Sequence, residues 1–136
     1  MLPSRHILYS TILCLILYPF IGFNTIIVWI FSIFIDVDHY IWDIIARKKW
    51  NLFKEYKKHK NQEFAHYKYK FHIFHLVELI ILLGVLGFYN KTIFYVFIGM
   101  LFHYILDWID LYVSPIARKQ RTWSLVMYLR RNLIRR

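Results

Sequence analysis

The sequence predicts an all-α fold: a four-helix transmembrane bundle with a basic cytoplasmic loop and a C-terminal amphipathic interfacial helix. Three observations predict it. Of the 136 residues, 59% are hydrophobic and 21% aromatic, too apolar for the polar surface that a soluble domain of this size must present. The apolar residues fall into four runs, each near the length of about twenty residues that crosses a bilayer core. The net charge of +10 is segregated, with seventeen of the eighteen Lys and Arg residues, all but Lys91, on segments that four spans bring to one side.

The first run is 7–21, ILYSTILCLILYPFI, the shortest of the four. Arg5 and the run behind it imitate a signal peptide, but the small-residue cleavage pattern is missing, so a retained helix is expected. Pro19, Gly22 and Asn24 mark the turn after it. The second run is 25–46, TIIVWIFSIFIDVDHYIWDIIA, and the third is 71–89, FHIFHLVELIILLGVLGFY. Asn90 and Lys91 form a tight turn, and the fourth run, 92–113, is closed by Ser114 and Pro115. In lipid all four must be helices, because every backbone group needs a partner within the segment. Residues 1–115 thus form one four-span domain. Residues 116–136 form a basic tail whose Trp123, Leu125, Met127, Leu129 and Leu133 lie among arginines, too charged to span and suited to the membrane surface.

The positive-inside rule places both termini and the 47–70 loop in the cytoplasm. That loop, RKKWNLFKEYKKHKNQEFAHYKYK, interleaves Trp50, Phe53 and Tyr56 with lysines. It is read as an interfacial segment on anionic headgroups, with His59 and His66 as interfacial hydrogen-bonders. Its lysines would also draw an anionic phosphate headgroup inward. Nucleic acid, the other usual partner of basic blocks, is excluded by the spans these blocks flank. The single cysteine, Cys14, rules out a disulfide or a thiolate zinc site within one chain.

Against this apolar background stand ionisable residues that a bilayer rejects: Asp36, Asp38, His39, His72, His75, His103 and Asp107, with Asp43, Glu78 and Asp110 close by. Ionisable groups at membrane depth mark functional sites by default. The topology brings all of them, and His6 at the start of the first span, to similar depth on the cytoplasmic side. Helical spacing groups them further. His103, Asp107 and Asp110 lie at i, i+4 and i+7, and Asp36, His39 and Asp43 at i, i+3 and i+7. His72, His75 and Glu78 follow one another by single turns. Asp38 points away from Asp36 on an ideal helix, so it requires a distorted helix, a second metal or a role supporting the ligands. Imidazole and carboxylate without thiolate suit Zn or Mn, with Fe or Mg as further possibilities, and more than four candidates suggest one or two ions.

The ordered motifs RHILYS at 5–10, DVDH at 36–39, FHIFH at 71–75 and GMLFHYILDWID at 99–110 resemble those of the membrane-bound, metal-dependent hydrolase-like family of prokaryotes, the LexA-regulated inner-membrane family. They are closer still to small multi-pass bacterial proteins with the same motif order. The resemblance covers about residues 5–113. It implies a metal site of His6, Asp36, Asp38, His39, His75, His103 and Asp107 in the prokaryotic cytoplasmic membrane. Two departures stand out: Ile35 replaces a Pro before the first Asp, and KYKFHIFH replaces a longer element containing His, Arg and Gly.

The expectation is therefore a metal-dependent hydrolase that cleaves the phosphoester of a lipid or lipid-linked substrate, with His72 or Glu78 as general base and Asp43 and Asp110 supporting the ligands. No Ser or Cys nucleophile stands beside a His in these motifs, which favours attack by water. The alternatives are a membrane di-iron oxidase or hydroxylase, a metal or proton transporter, and a protein whose buried Asp and His residues only lock its helices. A transporter would want polar groups in both halves of the bilayer, and the outer half is almost wholly apolar. A homodimer is compatible with so small a bundle.

Overall fold

The computed structural model describes residues 3–36, 73–113 and 124–133. All regular structure among them is helical: α1 Pro3–Ile21, α2 Thr25–Phe34, α3 Val77–Gly87, α4 Lys91–Val113 and α5 Leu125–Leu133, with 3₁₀ turns at Gly22–Asn24 and Ile73–His75. Two stretches, Ser4–Phe34 and Lys91–Asp110, are long and apolar enough to cross a membrane.

The first of these stretches is not one rod. α1 runs through Pro19 to Ile21 and the chain reverses at Gly22, whose φ of +56° lies in the left-handed region that only glycine adopts without strain. Thr25 then donates its hydroxyl to the Gly22 carbonyl at 2.8 Å. Three cross-hairpin contacts show the fold-back: Cys14 Sγ to the Thr25 carbonyl at 3.3 Å, Trp29 Nε1 to Thr11 Oγ1 at 3.0 Å, and Ser10 Oγ to Ser32 Oγ at 2.6 Å. Sequence separation between partners grows from turn to tip, the signature of an antiparallel helical hairpin.

α3 and α4 form a second hairpin. Asn90 makes the turn and caps α4, its Oδ1 accepting the backbone N–H groups of Thr92 at 2.8 Å and Ile93 at 3.2 Å. α4 lies against both α2 and α3. Its backbone comes close against α2 at Gly99, where any Cβ would collide with the Val28 carbonyl oxygen and come within 3.1 Å of the Ser32 backbone nitrogen. Small residues at helix crossings let backbones approach in this way.

Two departures from the sequence reading affect the site. The third run was expected to be helical from 71 to 89. Instead a 3₁₀ turn ends at His75, and Leu76 is extended at φ −79°, ψ 128° before α3 begins. α3 is therefore eleven residues, about 16 Å long and short of a full bilayer crossing. The second run was expected to be helical from 25 to 46. Among the described residues α2 ends at Phe34, and the Asp36 N–H bonds the Ile33 carbonyl at 3.3 Å in a tightened final turn. Residues 37–46 lie outside the described segments.

The distribution of polarity is inverted. Among the described residues the side chains most completely buried are His6, His103, Val28, Asp107, Ser10 and Ser32, five of the six polar, whereas Leu15, Ile16, Phe20 and Phe23 on the first hairpin are exposed. A water-soluble core shows the opposite order.

Candidate metal centre

Four separate segments deliver the site. His6 comes from the first turns of α1, Asp36 from just beyond α2, His75 from the 3₁₀ turn before α3, and His103 and Asp107 from successive turns of α4. All five are buried, with His103 and Asp107 at 0% exposure. The i, i+4 spacing on α4 puts His103 and Asp107 on one face, and their side-chain atoms lie 3.6 Å apart.

The five side chains meet through their Nε2 and carboxylate oxygens. Asp107 stands between the two outer histidines, its Oδ1 3.4 Å from His6 Nε2 and its Oδ2 3.3 Å from His75 Nε2. Asp36 Oδ1 lies 3.5 Å from His103 Nε2 and 4.0 Å from His75 Nε2, and its Oδ2 is 4.0 Å from His6 Nε2. The His6 and His103 rings are stacked with centroids 4.0 Å apart and planes 12° from parallel, and His75 meets His103 edge-on at 5.3 Å.

His103 is oriented from behind. Its Nδ1 lies 2.7 Å from the Ser32 carbonyl oxygen. A carbonyl only accepts, so the ring proton is on Nδ1, and in a neutral ring Nε2 is left as a lone pair. That lone pair faces carboxylate oxygens. Acceptor facing acceptor at about 3.5 Å is held together only by a cation between them, either a proton on the ring or a metal ion. An imidazole whose second nitrogen is fixed by a backbone carbonyl is the usual arrangement of a metal-ligating histidine.

The donor set fits a metal ion. His6, Asp36 and His103 form one group of ligand atoms within 4.8 Å of one another, and His75, His103 and Asp107 form a second. Two ligand atoms each about 2.1 Å from one ion at a tetrahedral angle lie about 3.4 Å apart, the separation seen between Asp107 and both His6 and His75. His6 Nε2 and His103 Nε2 are buried and in neither case is the geometry that of a hydrogen bond. Charge is compatible with this: two buried carboxylates beside three neutral imidazoles are balanced by one divalent cation, as they are by protons on two of the three rings. The same residues also form ion pairs with one another, so they can serve helix packing as well as metal binding.

The other sequence candidates divide into two sets. Asp38, His39, Asp43 and His72 lie outside the described residues. Asp110, one turn beyond Asp107 on α4, is half-buried and is not in either group of converging ligand atoms. Glu78 was aligned with His75 on the premise of an unbroken helix, and the extended Leu76 removes that alignment. Its Oε1 instead accepts the Ser124 hydroxyl at 2.5 Å and the Leu125 backbone N–H at 3.1 Å.

Sequence reasoning missed Ser10 and Ser32, both fully buried and hydrogen-bonded to each other. Their spacing was available as a signal: Ser10 is one turn after His6, and Ser32 one turn before Asp36. No protein-family model, no curated protein and no solved structure matches this chain.

Proposed function

We propose that this chain is a metal-dependent integral-membrane hydrolase that cleaves a phosphoester of a lipid or lipid-linked substrate near the cytoplasmic leaflet. The observation that carries the reading is the meeting of His6, Asp36, His75, His103 and Asp107 from four segments, with inter-ligand separations of 3.3–4.0 Å. The inverted polarity and the two membrane-length apolar stretches support a bilayer setting. The segregation of basic residues supports cytoplasmic termini and a prokaryotic inner membrane, in line with the motif resemblance.

In this reading His6, Asp36, His75, His103 and Asp107 hold one or two divalent ions, Zn or Mn by donor chemistry, and Asp38 and His39 extend the set. When bound, the metal supplies Lewis acidity to a phosphoryl oxygen and acidifies water. The chain's own contribution is to fix the donors before substrate arrives. The Ser32 carbonyl holds the His103 tautomer, and the apolar residues around the cluster keep its charges poorly screened. His72 is the general base of this proposal, because the Glu78 carboxylate is engaged with Ser124. The lysines of the 47–70 loop attract the anionic headgroup.

A second reading is favoured by the ion pairs themselves: the cluster locks the helices and binds no ion. A di-iron oxidase would require iron and a visible-absorbing oxidised form. The test is elemental analysis of untagged protein purified in detergent, followed by phosphoesterase assays on lipid substrates with the retained metal. About one or two Zn or Mn per chain, with metal-dependent release of phosphate or headgroup, is expected. Metal-free protein that takes up no ion on incubation with each candidate leaves the helix lock as the account. Bound metal without hydrolysis of any phosphoester retires the substrate class and keeps the site.

A further inference from the structure

The C-terminal helix α5 is attached to the segment that carries His75. Ser124 precedes α5 and caps it, its Oγ accepting the Val126 N–H at 3.1 Å. The same hydroxyl donates to Glu78 Oε1 at 2.5 Å, and the Leu125 N–H donates to that oxygen at 3.1 Å. A carboxylate at a helix N-terminus is also favoured by the helix dipole. Glu78 is the second residue of α3 and follows His75 by three positions, so one side chain ties the start of α5 to the turn that presents a cluster histidine.

α5 has an outward face that nothing among the described residues covers. Leu125, Val126 and Leu129 are exposed at 41%, 69% and 50%, while Met127 and Tyr128, on the opposite side of the helix, are half-buried. At 100° per residue the three exposed side chains form one stripe, and Arg130 flanks it. The surrounding tail contributes Arg118, Lys119, Arg121, Arg131, Arg135 and Arg136 and not one acidic residue. An apolar stripe flanked by Arg130, in a tail whose charges are all basic, matches the boundary between headgroups and acyl chains of an anionic leaflet in both polarity and charge.

We infer that α5 docks on the anionic lipid surface and that Glu78 transmits this docking to the His75 turn, so that the cluster is held firmly only on a negatively charged leaflet. This rests on the membrane part of the proposed function and not on hydrolysis. An amphipathic helix that must lie flat at one depth fixes Ser124 and Leu125, and through them Glu78. A helix that has left the surface is free to fray at its cap and release the carboxylate.

The test uses the full chain, freed of metal, in nanodiscs of phosphatidylcholine alone and of phosphatidylcholine mixed with phosphatidylglycerol, with hydrogen exchange read over residues 73–80. Those amides are expected to exchange about tenfold more slowly in the anionic discs, the factor one hydrogen bond to a charged group is worth. Both Glu78→Gln and Leu129→Asp are expected to abolish the difference. Equal exchange in the two lipids overturns the inference, as does slow exchange that survives Glu78→Gln. Disulfide cross-linking of Val126→Cys between chains, in a Cys14→Ser background, would show that a second copy covers the stripe, which also overturns it. Because the protein is metal-free throughout, failure of the metal reading leaves these outcomes unchanged, whereas a chain that stays monodisperse without detergent or lipid removes the membrane reading itself.

Discussion

His103 Nδ1 lies 2.7 Å from the backbone carbonyl of Ser32, a bond between α4 and α2 across 71 residues of sequence. It fixes the tautomer of the histidine common to both groups of candidate ligands. Because the acceptor is main chain, no substitution at Ser32 removes it directly. Ser32→Ala should therefore break the hydroxyl contact with Ser10, costing about 1 kcal/mol, and leave metal stoichiometry unchanged. Thermal unfolding beside elemental analysis checks both halves, and loss of the metal in this variant would refute the backbone role.

Gly99 sets how closely those two helices approach. Gly99→Ala places a methyl group against the Val28 carbonyl and the Ser32 nitrogen. The helices must separate, at a cost of about 1–3 kcal/mol, and His103, one turn further along α4, moves away from Ser32. A lower melting temperature together with weaker metal binding is expected. Unaltered affinity, measured by competition with a chromophoric chelator, would contradict the coupling.

Asp107 is the carboxylate nearest both outer histidines, at 3.4 Å and 3.3 Å. Asp107→Asn keeps the volume and removes the charge. If the cluster holds a divalent ion, this variant loses it, and chelator no longer changes its stability. The contrasting outcome, a variant less stable than wild type by the same amount with and without metal, belongs to a helix lock.

Removing metal from the wild type should lower its stability by about 2.7 kcal/mol relative to protein in free metal at a hundred times the dissociation constant. Thermal scans across a metal titration measure this. A midpoint independent of metal concentration would mean that the folded state does not bind it.

The helical class and four of the five converging residues were legible from residue type and position. Asp36, His75, His103 and Asp107 stand out because charge and imidazole are costly in apolar runs, and the pairing of His103 with Asp107 follows from helical period alone. His6 was legible only in part. The topology put it at the depth of the others, but at the edge of its run it reads equally as an interfacial residue until the motif resemblance raises it; in the fold it stacks on His103 at 1% exposure.

What the sequence by itself determined is the inventory: apolar helices, charge gathered into basic blocks and a limited set of ionisable residues set within apolar runs. These follow from local periodicity and from the cost of burying charge, which are properties of a residue and its near neighbours. Tertiary structure alone decided which of those residues meet. Its decisions rest on three backbone events whose effects are felt elsewhere: the reversal at Gly22, the approach at Gly99 and the break at Leu76. The reversal brings Ser10 to Ser32, and the approach puts His103 within reach of the Ser32 carbonyl. The break sends His75 to the cluster while Glu78 goes to Ser124. Periodicity assumes an unbroken helix, so it placed His75 and Glu78 together. A single extended residue is enough to separate them, because every side chain beyond it starts from a new helix axis.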